Sequence, residues 1–153
     1  MPNEIRLAVR AMLIDNDSRL LLLKGHDSTI SDSHHWWFTV GGGIVAGETP
    51  EQAIGREVLE ETGLQVDNFI ATPFSRTSSF YFEGRHYHQH ERFFAARLPS
   101  FSPNPKHLTP MELRSILGHK WWRLEELMQT GERVYPAQLN SWLAFVLKIF
   151  QLG

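Results

Sequence analysis

Apolar residues near the start of the chain occur in short runs that are separated by turn-forming residues. Residues 5–14 read IRLAVRAMLI and residues 19–24 read RLLLLK, with the segment DNDS at 15–18 between them. This arrangement predicts a β-hairpin, because two strand-like runs flank a cluster of Asp, Asn and Ser. Apolar and aromatic runs predict further strands at 36–40, 66–74, 78–82, 88–98 and 120–124.

Polar segments separate these runs, and the two longest are predicted to be loops. One is GHDSTISDSHH at 25–35, and the other is SFSPNPKHLTP at 100–110, which contains three prolines. Three consecutive glycines at 41–43 are predicted to end the strand at 36–40. A short helix is predicted to follow the second loop at 110–117.

One helix is defined by signals at both of its ends. Thr49 can act as its N-cap, Pro50 suits the first helical position, and Gln52 completes a capping box with Thr49. Gly63 is a residue type that commonly ends a helix. The sequence therefore predicts a helix from Pro50 to Thr62.

The two faces of this helix are expected to differ in chemistry, given a rotation of about 100° per residue. One face carries Arg56 together with three carboxylates, Glu57, Glu60 and Glu61. The other face is expected to lie on a sheet, with Gly55 permitting a close approach. This second face comprises Ile54, Gly55, Val58, Leu59 and Thr62.

The end of the chain, PAQLNSWLAFVLKIFQ at 136–151, has a strong helical period. Its apolar residues form one stripe, which we interpret as core packing rather than as a partner-binding face. The stripe comprises Leu139, Trp142, Leu143, Val146, Leu147 and Phe150.

The composition limits the possible functions. A length of 153 residues is typical of one domain, and we assign residues 1–153 to a single domain. The net charge of -2 gives no reason to expect a nucleic-acid or membrane partner. The absence of cysteine excludes disulfides and thiolate metal sites, and no run approaches the length of a membrane span. A cytoplasmic protein is expected, and a homodimer is left open.

The acidic face of the helix has two alternative interpretations. Charge runs are usually solvated surfaces, but Arg56 is the only basic residue between 48 and 61, a segment that holds five glutamates. A glycine-rich turn also leads directly into this helix, and glycine allows a backbone to approach a ligand closely. Carboxylate oxygens are hard ligands that suit Mg²⁺ or Mn²⁺. These features favour a metal site over a solvated face.

The segment GGIVAGETPEQAIGREVLEETGL, from Gly42 to Leu64, resembles a complete Nudix box. The family pattern is a glycine, five residues, a glutamate, seven residues, and then Arg-Glu-aliphatic-x-Glu-Glu-x-Gly-aliphatic. A chance match at nine spaced positions is very improbable. The matching residues are Gly42, Glu48, Arg56, Glu57, Val58, Glu60, Glu61, Gly63 and Leu64.

This resemblance implies an α/β fold, an α/β/α sandwich around a central mixed sheet. It also implies Mg²⁺- or Mn²⁺-dependent hydrolysis of a diphosphate bond in a nucleotide by attack of water on phosphorus. The box glutamates Glu57, Glu60 and Glu61 would supply metal ligands, and the backbone carbonyl near Gly42 would add another. Arg56 would pair with Glu48 and hold the helix against the glycine turn. Glu60 and Arg56 count among the expected catalytic residues.

Two glutamates outside the box compete for a further role as metal ligand or general base. Glu112 follows the proline-rich loop, where Nudix enzymes often place such a glutamate, and we expect the loop to give it a mobile platform. Glu91 lies on a predicted strand, where an inward charge would need a partner. We expect Glu112, rather than Glu91, to lie over the metal.

Candidate substrate contacts are weaker. Adjacent strand residues face opposite ways, so one residue of the pair Trp36 and Trp37 is expected to stack on a nucleobase, and we choose Trp37. Arg76 is a candidate phosphate contact. Tyr81 lies 17 residues beyond Leu64, which resembles Nudix enzymes that cut dinucleoside polyphosphates. Nucleoside triphosphates remain the default substrates.

Three alternatives to these assignments remain. One is a Nudix-fold module that senses a nucleotide without hydrolysing it, although such modules usually degrade the box. A second is the isoprenoid diphosphate isomerase branch, which relies on a cysteine that this chain lacks. The third concerns His86, His88 and His90, which alternate along one strand; we favour a solvent-facing row over a transition-metal site.

Overall fold

The computed structural model describes residues 4–30, 34–105 and 108–152. Within these ranges the chain forms eight strands and four helices. The strands are β1 (Arg6–Ile14), β2 (Leu20–Gly25), β3 (Trp36–Phe38), β4 (Val40–Gly43), β5 (Ile70–Phe82), β6 (Arg85–Arg97), β7 (Ile116–Trp122) and β8 (Arg133–Tyr135). The helices are α1 (Pro50–Thr62), α2 (Pro110–Ser115), α3 (Leu124–Gln129) and α4 (Leu139–Leu152).

All eight strands join one mixed sheet. Its main order is β5-β6-β1-β2-β3-β8, while β4 pairs with β1 and β7 pairs with β2. The β1–β6 and β3–β8 pairs are parallel, and the other pairs are antiparallel. The predicted central mixed sheet is confirmed.

The two faces of the sheet bury separate apolar clusters, as the alternation of side chains along a strand requires. In β1, Val9, Ala11 and Leu13 face the cluster that contains Ile54 of α1. Met12 and Ile14 of the same strand face the opposite cluster, which is covered by α3 and α4 through Leu127, Leu139, Leu143 and Val146. The sheet therefore lies between two helical layers, which confirms the α/β/α sandwich and the packing role of the C-terminal stripe.

Helix α1 begins and ends where its capping residues predict. The Thr49 side chain accepts a hydrogen bond from the Gln52 backbone N–H, and the Gln52 side chain accepts one from the Thr49 backbone N–H. Gly63 follows with φ of 78°, in the left-handed conformation that glycine adopts without a steric penalty. The predicted helix from Pro50 to Thr62 is confirmed.

The faces of α1 are rotated from their expected positions. Glu57 and Glu61 are buried, whereas Leu59 is exposed and Gly55 faces open space. The buried face of α1 is rotated from the predicted face by about 100°, the angle of one residue. The reason is that the glycines of β4 leave room for the carboxylates of Glu57 and Glu61. The expectation that Gly55 permits close packing, and that the acidic face lies away from the sheet, is wrong.

Other boundaries also differ from the predictions. The glycines at 41–43 continue as strand β4, because they pair with β1 instead of ending the sheet. The runs predicted at 66–74 and 78–82 correspond to the single strand β5, which begins only at Ile70, and β7 begins at Ile116 and not at 120. Helix α3 and strand β8 were not predicted. The predicted loops at 25–35 and 100–110 include residues 31–33 and 106–107, which lie outside the described residues.

No helix in the described ranges combines the length and the apolar character that a membrane span requires.

Candidate active site

A cavity of about 890 Å³ opens beside the acidic face of α1. Strands β1, β4, β5 and β6 and helix α2 contribute to its walls. Acidic, basic and aromatic side chains all line it.

The glycines of β4 make room for charged side chains on both sides of the strand. A Cβ atom at Gly42 would lie 2.7 to 2.9 Å from the carboxylate atoms of Glu57. A Cβ atom at Gly43 would lie 2.7 to 3.0 Å from the guanidinium of Arg6. The absence of side chains at these two positions therefore allows Glu57 and Arg6 to approach the strand backbone.

Three carboxylates meet at one end of the cavity. Ligand oxygens of Glu57, Glu61 and Glu112 all lie within 4.8 Å of one another. Glu61 is 2% exposed and accepts a hydrogen bond from the Gly41 backbone N–H at 2.9 Å, while Glu57 is 6% exposed. Glu57, Glu61 and Glu112 are called the carboxylate cluster below.

The electrostatics of the carboxylate cluster favour the binding of a cation. Burial raises the pKa of Glu61 well above its ordinary value, and the neighbouring charges of Glu57 and Glu112 raise it further against the opposing effect of Arg10. Burial also raises the pKa of Glu57, although Arg56 opposes this shift. A divalent ion would offset this repulsion, and hard oxygen donors suit Mg²⁺ or Mn²⁺. The residues present therefore fit the expected metal.

Glu112 reaches the carboxylate cluster from α2. Its carboxylate accepts a hydrogen bond from the Thr109 backbone N–H at 2.9 Å, and its own N–H donates to the Thr109 hydroxyl at 3.2 Å. This capping box orients the side chain. Sequence reasoning chose Glu112, but it expected a mobile platform; the structure holds the residue in the first turn of a helix.

Arg56 connects the glycine strand, the helix and the loop between them. Its guanidinium donates to Glu48 from Nε at 2.6 Å and from Nη2 at 2.9 Å, and to the carbonyl oxygen of Gly43 at 3.0 Å. Nη1 lies 3.1 Å from Glu57 and 3.3 Å from Glu60. The hydrogen bonds from Arg56 lower the pKa of Glu48 to about 2. The expected pairing of Arg56 with Glu48 is present.

Glu60 lies apart from the carboxylate cluster, although it lines the same cavity. Its side chain is 27% exposed and its described partner is Arg56. The two buried box glutamates, Glu57 and Glu61, thus have surroundings that differ from those of Glu60.

Glu91, on β6, is the centre of an ion-pair group that lines the same cavity. Arg10 Nε donates to Glu91 Oε2 at 2.5 Å, and Arg76 Nε donates to Glu91 Oε1 at 2.9 Å. Burial raises the pKa of Glu91, but the two arginines outweigh this effect and lower it overall. Glu91 does not belong to the carboxylate cluster, whereas Arg76, a predicted phosphate contact, does line the cavity.

Sequence reasoning missed Arg6 and Arg10, which also line the cavity. Arg10 additionally donates to the carbonyl oxygens of Thr39 and Gly41, at 3.2 Å each. The available signal was the pair of arginines, four residues apart, that interrupts the apolar run IRLAVRAMLI. Period-two alternation places both residues on one face of the strand.

Aromatic rings form the remaining wall. Trp36 lines the cavity and packs edge-to-face on Phe82. Trp37 instead lies in the core, 7% exposed and 5.2 Å from the ring of Trp122. The choice of Trp37 as the stacking residue is therefore corrected, because adjacent residues of β3 face opposite ways. Tyr81 lies at the rim and is 77% exposed, and the other rings are Phe38, Phe80, Tyr87 and Tyr135.

The histidines His86, His88 and His90 do not line the cavity. His88 Nδ1 and the Ser79 hydroxyl are 2.7 Å apart, and His90 Nδ1 and the Thr77 hydroxyl are 2.8 Å apart. Within the described ranges, groups of three potential metal ligands do not include these histidines. The geometry gives no support to a transition-metal site here.

Comparisons with known proteins identify relatives of the chain. Over 66 residues it is 30% identical to an uncharacterized Nudix hydrolase of Listeria monocytogenes and 32% identical to one of Listeria innocua. Each match covers 43% of this chain and 39% of the relative, so less than half of each relative is represented.

Solved structures with the same fold cover nearly the whole chain. The NUDIX domain of Shewanella oneidensis NrtR, solved with ADP-ribose, aligns with a TM-score of 0.66 and 18% identity over 95% of this chain and 90% of that one. The MutT NUDIX hydrolase of Burkholderia pseudomallei aligns with a TM-score of 0.64 and 18% identity, over 90% of this chain and 96% of that one. A C. elegans Ap4A hydrolase aligns with a TM-score of 0.61 and 18% identity, over 97% of this chain and 100% of that one. At these identities the similarity concerns the fold.

The sequence also matches the family model of the NUDIX domain over residues 4–143. This match includes every strand of the described ranges and the helix that carries the box glutamates. The chain therefore belongs to the NUDIX domain family.

Proposed function

We propose that this domain hydrolyses a diphosphate bond of a nucleotide in the presence of Mg²⁺ or Mn²⁺. The observation that carries the proposal is the convergence of Glu57, Glu61 and Glu112 in one cavity with several arginines. Acidic and basic groups in one cavity suit a metal-bound polyphosphate, because the carboxylates can hold the cation while the arginines bind phosphate oxygens.

The carboxylate cluster would hold the metal, with the backbone at Gly42 as a candidate additional donor. When bound, the ion neutralises phosphate charge and lowers the pKa of the attacking water. Glu57 and Glu61 are suited to this role because they are buried and enclosed by protein backbone. Their positions are fixed by Arg56 and by the Gly41 N–H.

The arginine wall would bind the phosphates. Arg6 and Arg76 line the cavity together with Arg10, and Glu91 is the buried carboxylate between Arg10 and Arg76. Since Glu91 neutralises only one of these charges, the wall retains positive charge toward the cavity. Arginine donors match phosphate oxygens well.

In the proposed reaction, the oxygen of a water molecule bonds to phosphorus and the bridging P–O bond breaks. The leaving phosphate takes the electrons of that bond. A carboxylate accepts the proton of the water, and Glu60 and Glu112 are the candidates. Glu57 and Glu60 of α1 both contact Arg56, and the side chain of Glu60 is the more exposed of the two and therefore accessible to water.

The aromatic wall would stack on the base. Trp36 and Phe38 of β3 and Phe80 of β5 lie on the cavity, and aromatic rings stack on bases with little dependence on sequence. Tyr81, at the rim, is a candidate contact for a second base or a distal group. Nucleoside triphosphates are the first substrates to test.

The test is a screen with Mg²⁺ or Mn²⁺ of nucleoside triphosphates, ADP-ribose and diadenosine tetraphosphate, with released phosphate and pyrophosphate as the readout. Turnover of at least one compound, lost on addition of a chelator, is the expected result. Binding without turnover would instead assign the domain to the alternative class, a nucleotide-sensing module. Full activity in excess chelator would contradict the metal requirement.

A further inference from the structure

Helix α2 carries Glu112, but apolar packing does little to fix its position. The helix has six residues, and helices of this length are not stable by themselves. Its apolar residues Met111 and Leu113 are exposed, and Ser115 is its one buried member. The position of α2 must therefore depend on polar contacts.

One of these polar contacts is an ion pair that joins α2 to the tip of the β5–β6 hairpin. Arg114 Nε lies 3.1 Å and 3.0 Å from the two carboxylate oxygens of Glu83, and Arg114 Nη2 also donates to Glu83. The Glu83 side chain is 7% exposed and accepts a further hydrogen bond from the Ser28 hydroxyl at 2.9 Å. A bidentate pair with one enclosed partner has a defined geometry.

The conformation of Glu83 indicates that its side chain has a specific role. Phe82 and Arg85 are register partners, so Glu83 and Gly84 form a two-residue turn with φ of 50° and 78°. Asn or Gly is the usual first residue of such a turn, since a glutamate is strained at positive φ. The turn nevertheless contains a glutamate, and its carboxylate faces Arg114.

A second set of contacts fixes the turn and the same C-terminal end of α2. Asp27, which is buried, accepts a hydrogen bond from the Glu83 backbone N–H at 2.8 Å. His26 Nε2 lies 2.9 Å from the Arg114 carbonyl oxygen, and the His26 backbone N–H donates to the Ser115 carbonyl oxygen at 3.0 Å. The hairpin tip, the segment at 26–28 and α2 thus form one connected unit beside the cavity.

We propose that the Glu83–Arg114 ion pair is a clasp that positions Glu112 for its place in the carboxylate cluster. The clasp acts two residues from Glu112, and neither of its members lines the cavity, so both are positioning residues. Opening it would leave α2 held by the His26 contacts and by its junction with β7, and would thus loosen the helix and increase the mean distance of the Glu112 carboxylate from Glu57 and Glu61. The expected effect of the clasp on turnover rests on the proposed function. Its expected effect on Mn²⁺ affinity can be measured without turnover.

The decisive variant is Glu83→Asn, because it separates turn stability from the clasp. Asn-Gly is the preferred sequence for this type of turn, so the melting temperature should stay the same or rise. The clasp is lost, so we expect the Kd for Mn²⁺, measured by calorimetry on the protein alone, to rise about tenfold, as for other residues that orient metal ligands. The exchange rates of the amides of residues 112 and 113 should rise in the metal-free protein.

Arg114 supplies the complementary variants. Arg114→Ala should reproduce the weakened Mn²⁺ affinity and lower kcat more than it changes KM, and the double variant E83R/R114E should restore most of both. Lys120→Ala, which breaks the exposed Lys120–Glu126 pair at 3.3 Å, is the matched control and should leave both unchanged.

The outcomes distinguish this inference from the proposed function. Wild-type Mn²⁺ affinity and amide exchange in Glu83→Asn and Arg114→Ala would overturn the clasp even if the wild-type enzyme hydrolyses nucleotides. Failure of the charge swap to restore affinity would also overturn it. If the wild-type domain hydrolyses none of the nucleotides, weakened Mn²⁺ affinity with restoration by the swap would still support the clasp.

Discussion

Glu61 Oε1 accepts a hydrogen bond from the backbone N–H of Gly41 at 2.9 Å, and this contact places a carboxylate where the sheet meets α1. Gly41 adopts φ of 145°, and a Cβ atom there would lie 2.1 Å from the carbonyl oxygen of Val9. The strand backbone therefore holds the buried end of the carboxylate cluster, and β4 and Glu61 act as one unit.

We expect Glu61→Gln to lower kcat by at least about 10²-fold, the scale seen when a charge-stabilising group is lost. The amide oxygen can still accept the Gly41 hydrogen bond, so the fold should persist. Burial and neighbouring carboxylates raise the pKa of Glu61, so its ionised form destabilises the metal-free protein at neutral pH. The variant should thus melt at the same or a higher temperature in chelator. Glu51→Gln, at an exposed position of α1, is the control; a lower melting temperature for Glu61→Gln alone would contradict the argument.

Gly42→Ala tests the space that β4 leaves for Glu57. The added Cβ would lie within 2.9 Å of the carboxylate, which is the movable end of a side chain, so the carboxylate should shift at little cost in stability. We expect reduced Mn²⁺ affinity and turnover with a nearly unchanged melting temperature. Gly55→Ala is the matched control, because its Cβ meets nothing within 4 Å and Ala favours a helix by up to about 1 kcal/mol. Equal activity of the two variants would show that Glu57 tolerates the displacement.

Glu112→Gln and Glu91→Gln should have opposite profiles. A glutamine side chain at position 112 can retain the capping box with Thr109, so thermal stability should be nearly unchanged. Turnover should fall, because the carboxylate charge at this position is lost. Glu91 is buried between Arg10 and Arg76, and loss of its charge should destabilise the fold by about 3 kcal/mol, as for other broken buried pairs. The measurements are kcat and the melting temperature of both variants beside wild type. An inactive but stable Glu91→Gln together with a fully active Glu112→Gln would reverse the assignment.

Metal binding should stabilise the folded domain, because a ligand that binds only the native state raises its unfolding free energy. We expect the melting temperature to rise with Mn²⁺ concentration in the wild type and to rise much less in Glu61→Gln. Calorimetric melting with added Mn²⁺ or excess chelator measures this effect. Equal shifts in the two proteins would place the stabilising ion outside the carboxylate cluster.

Asp15 provides a pH-dependent contribution to stability far from the cavity. It is fully buried, and hydrogen bonds from the Arg19 backbone and side chain and from the Ser100 hydroxyl outweigh the effect of burial and lower its pKa. A lowered pKa gives stability that is complete above the ordinary value of about 3.9 and is lost as the pH falls through the folded-state value.

We therefore expect Asp15→Asn to melt at a lower temperature than wild type at pH 7, because the charged acceptor of several donors is lost. The difference should shrink as the pH falls below about 4, because the Asp15 carboxylate of the unfolded chain then gains a proton while that of the folded protein, with its lowered pKa, stays ionised. Asp17→Asn is the control, since Asp17 is exposed. A difference that is independent of pH would assign the loss to packing and not to charge.

The sequence predicted those elements whose ends carry local signals. Thr49, Gln52 and Gly63 define α1 because capping depends on a few neighbouring residues. Strand β8 could not be predicted in this way: its residues form a strand only because they pair with β3, which lies far earlier in the chain.

The candidate site likewise contains features that the sequence predicted and features that depend on residues distant in the chain. The pairing of Arg56 with Glu48 and the choice of Glu112 came from the resemblance to the Nudix family, which carries the spatial relationship of these residues with its sequence pattern. The burial of Glu57 could not be deduced from α1 alone, because it depends on the missing side chain at Gly42 on another element. The distinction between Trp36 and Trp37 required the direction in which β3 faces.

The location of the aromatic wall on β3 and β5, apart from the carboxylates on α1 and α2, bears on how such a domain can evolve. Side chains such as Phe80 can be exchanged without moving a charge near Glu57 or Glu61. Under the proposed function, mutational drift at such aromatic positions of β5 can change the accepted base while the carboxylate cluster is inherited intact. Two other positions of the same hairpin are exceptions, because Arg76 in the middle of β5 pairs with Glu91 and Glu83 at the tip contacts Arg114 of α2. Selection should accordingly tolerate variety at the aromatic positions and restrict it at Arg76 and at the turn.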